Sequence, residues 1–595
     1  MTVSLPPELV TLCLQQLDPS DPSTVPTLLD ASLASRSFKS LALAPLLWKP
    51  IADETYHRHR PPSSAGPSFE HDAFEYFRQR AAKDLRARSI VRELATQSTK
   101  RLAKMEELRR LGSDVIENRL WRPEEFTEEK RPSNWLCLQY WARESRKALL
   151  REEAVRVWRE IALRDVRGEE ADDDFERGMN AFGAFRGYDP MVIPRERFDV
   201  SNHPRLVEAT SHPPFEGSKR LEWIAREAYE YARSIGLKPA IEGAYHNLDC
   251  QYVESVWNRA AGPSAQNHGT LPMTLVGIYC SLVRRLPIAR ELKIRVRPVG
   301  FPGTVLAALA YEGSDEWTYI NVFSSGKILS RDRLLSLLGA MGQAGETHFL
   351  EPASAREMCL RVARNILTAV RTGEQAPGIP LAHETAIAAL YSVSHALFIL
   401  TNPQLLLGNE RTALDRDVDQ YFEWMCSLIQ SEFPLDVHYL ESALPVLSAD
   451  VRPRISVLCE AIREEDAANK EQKLVNGDIK WPIGHVFRHR LFRYVAVVRG
   501  WDYKCEASEQ WIRQMRVDTL PHGRNQPFYH VVVDDGSARY VAQENVTDTP
   551  IDDDEVDRFL TNEGFGRYFR KRERREDGRW TFVASAEVEA EYPDS

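Results

Sequence analysis

The sequence predicts a multidomain, mainly α-helical chain with one α+β unit near its middle and a small antiparallel β-barrel towards its C-terminal end. Three observations carry that expectation. The chain has 595 residues, too many for a single core at roughly 100–200 residues per domain. Hydrophobic residues make up 43% and charged residues 28%, globular values that exclude a mainly disordered, collagenous or coiled-coil chain. Long stretches of helical periodicity are interrupted by two segments rich in short β runs.

The elements follow in order. Residues 1–52 are apolar at helical spacing: Pro6-Pro7 open a helix where a missing N–H costs little, Leu9, Leu12 and Leu17 follow on one side, Leu28, Leu29, Leu33 and Phe38 sit on a second helix, and a third leads to Trp48. So short a segment cannot bury that apolar surface alone, so a partner surface is implied. PPSSAGPS at 61–68 reads as a turn-rich linker. Residues 69–235 are rich in Arg, Glu, Ala and Leu, with opposite charges three or four apart, and predict long amphipathic helices. Residues 236–336 pass from a helical stretch through a Pro/Gly-punctuated middle into ELKIRVRPVG and WTYINVF, which read as strands. Helical periodicity returns over 354–465. Between Trp481 and Val546, VFRHR, YVAVVRGW, FYHVVVDD and ARYVAQENV read as strands of the barrel, within a unit spanning 479–595.

Composition also bounds function. A net charge of -10, from 77 Lys+Arg against 87 Asp+Glu, argues against a whole-protein nucleic-acid or anionic-membrane binder. The eight cysteines (Cys13, Cys137, Cys250, Cys280, Cys359, Cys426, Cys459 and Cys505) form no CxxC pair and no Cys/His cluster, so neither a disulfide framework nor a zinc module is suggested. The N-terminus lacks a basic region followed by a long apolar stretch, and no window has about 18 uninterrupted apolar residues. The expectation is a soluble chain in a reducing compartment, cytoplasmic or nuclear, with no membrane partner, no metal and no cofactor.

LPPELV, LLDASLASRSFKSLA and LLWKPI, in that order over the first 51 residues, resemble an F-box, the motif by which substrate receptors of SCF-type cullin–RING ubiquitin ligases dock on their adaptor subunit. The resemblance implies a three-helix module with Leu5, Pro6, Leu9, Val10, Leu14 and Leu17 at adaptor-facing or supporting positions, closed by Leu33 and Trp48. A plain helical hairpin packed on the rest of the chain is the structural alternative.

LDCQYVESVWNRAAGPSAQNHGTLPMTLVGIYCSLVRRL followed by IRVRPVGFPGTVLAALAYEGSDEWTYINVFSSGKILS resembles the transglutaminase-like superfamily core. In catalytic relatives a Cys at a helix start attacks, a His on the next strand takes its proton, and an Asp on the following strand orients the His. The resemblance places those positions at Thr274, Thr304 and Asn321. None of the three residue types can play its part: an unassisted Thr hydroxyl is a poor nucleophile, a second Thr is no base, and Asn carries no charge. Cys280 lies six positions further along the same helix, more than one turn away, and reads as a core thiol; His268 precedes the helix in a loop. A non-catalytic unit is expected, with a groove that remains a candidate peptide site.

IGHVFRHR, GWD, CEASEQWI, GRNQPFYHVVVDDGS and YVAQENV resemble the YccV-like domain, also called hemimethylated-DNA-binding or heat-shock protein Q-like. Asp535-Gly536 between two β runs is a hairpin signal on physical grounds. Residues 479–546 hold ten Lys+Arg against seven Asp+Glu, a local balance only mildly favourable to phosphate. Arg488, His489, Arg490, Arg493 and Arg524 with Trp501, Phe528 and Tyr529 form a candidate aromatic-basic face; the preferred reading makes the aromatics core or rim and the arginines solvated surface. His485 and His489 share no helical face, so a metal pair is not expected. RYFRKRERR at 567–575 reads either as a nuclear-import signal or as a structural extension.

Together these resemblances imply a substrate-recognition subunit of a ubiquitin ligase. Its partners are the SCF adaptor subunit, the cullin scaffold and an unknown protein substrate, and no residue of its own needs to be catalytic. The alternatives are a DNA-linked regulator acting through the YccV-like domain and a cysteine acyl transferase or hydrolase.

Overall fold

The computed structural model describes residues 6–56, 72–117, 120, 130–189, 215–240, 247–260, 269–375, 382–403 and 416–594. The chain divides into two units, one formed by residues 1–146 with 463–595 and the other by 147–462. The helical span 69–235 therefore contributes to both.

The N-terminal segment forms α1 (Pro7–Leu14), α2 (Thr24–Ala34), α3 (Arg36–Ala42) and α4 (Pro45–Thr55). Three helices are expected and four form, because Ser35 is extended and its hydroxyl accepts the Phe38 N–H at 3.1 Å. That cap ends one helix and opens the next, so Phe38 belongs to α3 and not to the helix that carries Leu28 and Leu33. Leu28, Leu47, Trp48 and Ile51 make the core, with Leu14, Leu17 and Val25 packed against it. The Trp48 indole N–H donates to the Ala42 carbonyl at 2.8 Å. On its other side the ring meets Phe74 and Phe77 of α5 (Ala73–Thr96), with centroids 4.8 and 5.0 Å away. Next come α6 (Arg101–Leu111) and the 32-residue α7 (Trp135–Val166), whose residues up to Arg146 belong to the first unit.

In the second unit, α8 (Asp174–Ala184), α9 (Gly217–Ser234), α10 (Val253–Ala260), α11 (Pro272–Arg285) and α12 (Pro287–Glu291) precede β1 (Ile294–Val299), β2 (Leu306–Tyr311), β3 (Thr318–Asn321) and β4 (Lys327–Leu329). The strands form an antiparallel meander in the order β1-β2-β3-β4. Every residue of α11 from Pro272 to Val283 is buried. It lies so close to α8 that a Cβ at Gly277 would come 2.5 Å from the Met179 methyl, the close backbone approach that glycine permits. Helices α13 (Arg331–Ala340), α14 (Ala355–Gln375), α15 (His383–Thr401), α16 (Arg416–Ser431), α17 (His438–Ala443) and α18 (Arg452–Ala467) follow. By length and composition α15 could cross a bilayer, but 61% of its apolar window is buried inside the protein, which marks it as a core helix. A buried ion pair joins Arg151 to Asp436 at 2.7 Å, and the Tyr391 hydroxyl donates to the same carboxylate at 3.2 Å.

The C-terminal part of the first unit holds β5 (Val486–Arg488), β6 (Val495–Asp502), α19 (Glu509–Gln514), β7 (Phe528–Val533), β8 (Ala538–Ala542), α20 (Asp553–Thr561), β9 (Phe569–Arg574), β10 (Trp580–Ala584) and α21 (Ala586–Glu591). Strands β5 to β8 pair antiparallel in sequence order. The closed barrel expected from the sequence does not form: among the described residues the outer strands meet only at a single bridge, His489 with Val546. Strand β5 is three residues long, and the chain just before it is engaged by β10. His485 bridges Thr581, and the Phe582 N–H donates to the Gly484 carbonyl at 3.1 Å. Gly484 (φ +81°) is required there, since a Cβ would fall 1.7 Å from the Phe582 carbonyl oxygen. The basic run at 567–575 is largely strand β9, and several of its charges are paired within the unit: Arg572 with Asp557, Arg574 with Asp553 and Arg570 with Glu589.

Candidate functional site

Three places follow from the sequence. In the N-terminal helices, Val10 and Trp48 are buried and Leu14 and Leu17 are partly buried. Pro6 is exposed as the residue capping α1, and Leu5 lies outside the described residues. Leu9 (48% exposed), Leu12 (54%), Leu33 (82%) and Leu46 (60%) face solvent, with Leu29 and Phe38 also exposed, so Leu33 does not close the module with Trp48 as expected; Leu28 of the same helix does. Scattered apolar residues on a surface need no explanation, but six large ones fall within residues 9–46.

The transglutaminase-like positions are occupied by structural roles. Thr274, in the first turn of α11, is buried and donates its hydroxyl to the Gln251 carbonyl at 3.0 Å. Thr304 lies in the turn before β2, where its N–H donates to the Phe301 carbonyl at 3.1 Å. Asn321 closes the turn after β3: its Oδ1 accepts from the Ser324 N–H at 2.9 Å and its carbonyl from the Gly326 N–H at 2.8 Å. No hydrogen bond among the described residues links the three. Burial pushes the Cys280 thiol up to about 12, leaving it protonated and unreactive near neutral pH. His268 lies outside the described residues.

Sequence reasoning passed over a carboxylate beside this unit. Glu254 on α10 presses its side chain against α8, where a Cβ at Gly183 would come 2.6 Å from Glu254 Oε2. Burial pushes its carboxyl up to about 7, only partly opposed by its own backbone and by Arg186, and Oε1 is sealed from solvent with no hydrogen bond. Arg186 itself pairs with Asp249 at 3.0 Å. The nearby Tyr252 ring lies 4.5 Å below the Arg186 guanidinium.

In the C-terminal sheet the three aromatics of the candidate aromatic-basic face lie in the core, as the preferred reading has it. Trp501, Phe528 and Tyr529 are buried. The Tyr529 hydroxyl accepts from the Lys480 and Trp481 N–H groups, each at 3.1 Å, and donates to Gln543 Oε1 at 2.6 Å. Trp501 packs edge-on against Tyr592, 4.6 Å between centroids. Arg488 holds both oxygens of Glu555 at 2.9 and 2.6 Å. Arg524 forks onto Asp518 at 2.8 and 2.6 Å and reaches Glu509 at 2.7 Å. The alternation of a strand places Trp501 and Asp502 on opposite faces, and Asp502 is the polar centre of this domain. It accepts from Lys473 at 2.5 Å, His530 at 3.0 Å and the Tyr540 hydroxyl at 2.6 Å. Burial alone would raise its pKa, but these hydrogen bonds outweigh burial and hold the carboxylate far below its ordinary value. His485 stacks on Trp481 at 4.4 Å, and His489 Nδ1 accepts from the Leu491 and Phe492 N–H groups at 3.1 Å each. Among the described residues no group of three or more His, Cys, Asp or Glu able to hold a metal comes together.

Comparison with known proteins finds two families in the chain. Residues 479–576 match the family described as hemimethylated DNA-binding protein YccV like, and residues 242–364 match the transglutaminase-like superfamily. The chain is 28% identical over 359 residues to F-box only protein 21 of Pongo abelii, covering 59% of this chain and 51% of the relative. It is 27% identical over 363 residues to the protein of that name in Mus musculus (59% and 52%) and 28% identical over 367 residues to that in Homo sapiens (59% and 52%). The chain spans about half the length of the curated relatives it matches. No solved structure gives a significant match.

Proposed function

We propose that this chain is a substrate-recognition subunit of an SCF-type cullin–RING ubiquitin ligase, its N-terminal helices holding the adaptor and its transglutaminase-like and YccV-like domains presenting a target protein. The observation that carries the proposal is the contrast within α1–α4. Their core is closed by Trp48, yet Leu9, Leu12, Leu33 and Leu46 remain in solvent, as a partner-binding face requires. The similarity to proteins named F-box only protein 21 supports the same reading. The chain acts without catalysis of its own: ubiquitin transfer falls to other subunits, and the side chains at Thr274 and Asn321 already serve as local hydrogen-bond partners.

Affinity purification of the full chain tests this. The adaptor and cullin are expected to copurify with the unaltered protein and to be lost from a Leu9→Asp/Leu33→Asp variant. Both positions are exposed, so the fold should survive. Retention of both subunits by the variant would remove the basis of the proposal.

A second reading rests on the matched family's description as hemimethylated DNA-binding. It needs cationic side chains free to meet phosphate, and the ion pairs of Arg488 and Arg524 weigh against it. Binding of hemimethylated duplex by the full chain, weakening steeply as salt rises, would favour it.

A further inference from the structure

Within the second unit, α7, α15, α16 and α17 enclose a cavity of about 230 Å³ that no assigned role uses. Its apolar wall includes Phe398, Ile399 and Met425, and its polar groups include Arg159, His395 and Asn402. Two of the polar atoms have no partner: His395 Nε2 and Asn402 Nδ2 are sealed from solvent and make no hydrogen bond. His395 is 2% exposed, and its ring is fixed by Tyr391, Tyr439 and Phe185, with centroids 4.7, 4.8 and 5.5 Å away. Its unpaired nitrogen therefore has a defined direction. Burial, which outweighs the attraction of Asp436, pushes His395 down to about 3, so near neutral pH the imidazole is an uncharged hydrogen-bonding group. Arg159 is exposed and makes no ion pair or hydrogen bond among the described residues, which places an unneutralised guanidinium at the cavity's mouth.

Buried polar atoms without partners are rare and costly, and a water molecule needs only ~10–15 Å³ by this kind of measure, whereas an apolar cavity of about 150 Å³ accepts benzene. A site of this size suits a ring with a short tail. We infer that the cavity is a binding site for a small carboxylate bearing one aromatic or similar apolar group, the carboxylate meeting Arg159 together with the unpaired His395 Nε2 and Asn402 Nδ2, and the apolar body packing on Phe398, Ile399 and Met425. The same chemistry is offered by a free aryl-alkanoic acid and by the C-terminal carboxylate of a peptide ending in an aromatic residue. The site stands independently of whether the N-terminal helices dock a ligase adaptor.

The test uses the full chain and 3-phenylpropanoate, its uncharged amide, and a short peptide ending in phenylalanine as free acid or amide, with binding read by calorimetry and saturation-transfer NMR. The acid is expected to bind, and both the amide and the Arg159→Ala variant to weaken binding at least roughly tenfold, the range of a charge-assisted contact. Arg159 is exposed, so the variant should keep its fold, which circular dichroism checks. His395→Phe, which keeps a ring but loses the nitrogen, is expected to weaken the acid further. Binding of the peptide acid alone assigns the source to a chain terminus, and binding of the small acid alone assigns it to a free metabolite. Equal binding of acid and amide, unchanged affinity in Arg159→Ala, or no binding by either acid at millimolar concentration would each overturn the inference.

Discussion

His489 shows how one buried side chain sets both a turn and a pH response. Its Nδ1 holds the Leu491 and Phe492 amides and can do so only while unprotonated; burial, helped by Arg539, lowers its pKa to about 4. The unfolded chain takes up that proton near 6.5, so the stabilisation is complete above pH 6.5 and is lost as pH falls towards 4. The loss is on the order of 1–3 kcal/mol. His489→Asn, whose side-chain oxygen can hold the same amides, is expected to flatten denaturant midpoints between pH 6.5 and 4, although His485, also lowered to about 4, leaves part of the slope. Glu254 behaves in the opposite sense. An acid raised to about 7 makes the fold less stable as pH rises from 4.5 through 7. Glu254→Gln should remove that decline, gaining on the order of 1–3 kcal/mol at pH 8. If the variant instead loses stability at pH 8, Glu254 is ionised and paired.

At the level of elements, sequence pattern located the long helices well because their apolar periodicity and opposite-charge spacing are local properties, as in α5 and α14. Strand β2 was less legible. Its sequence, LAALAY, is poor in β-branched residues, and it becomes a strand because β1 and β3 pair with it on either side, a tertiary effect. The barrel's closure was illegible for a related reason: nothing in VFRHR reveals that β10 will occupy the chain beside it. Trp501, Phe528 and Tyr529 were visible as aromatics, but their burial depends on partners distant in sequence, Tyr592 for Trp501 and Gln543 for Tyr529. Gly484 makes the strongest element-level prediction. With φ +81° and no room for a methyl group, Gly484→Ala should cost more than about 3 kcal/mol, measured as a lowered denaturation midpoint. Gly523→Ala, also at positive φ (+53°) but in open space, should cost only about 1 kcal/mol.

For the whole molecule, the first unit is assembled from two stretches far apart in sequence. Leu136 of α7 lies in one hydrophobic cluster with Phe487, Phe565 and Phe569. Arg101 pairs with Glu587 at 2.5 Å, and the Lys100 N–H donates to the Asp466 carbonyl at 2.8 Å. Residues 147–462 expressed alone should therefore unfold as one cooperative transition. Residues 1–146 and 463–595 should each show reduced cooperativity alone and regain it when coexpressed, as followed by calorimetry. Cooperative unfolding of 463–595 alone, at the full chain's midpoint, would show that the N-terminal stretch is dispensable to that core. Domain boundaries drawn along the sequence could not show this arrangement, because burial of Leu136 is decided by residues more than three hundred positions away.

The same two-stretch assembly imposes an order in time. At ribosomal speeds of about 5–20 residues per second, α5, α6 and the start of α7 emerge roughly 15–60 s before residue 463, while the second unit is still being made. Throughout that interval Leu136 has no sheet to pack against, and Arg101 has no Glu587. The exposed leucines of α1–α4 are made earlier still, so they stand in solvent throughout the interval in which both the second unit and the C-terminal sheet are being completed.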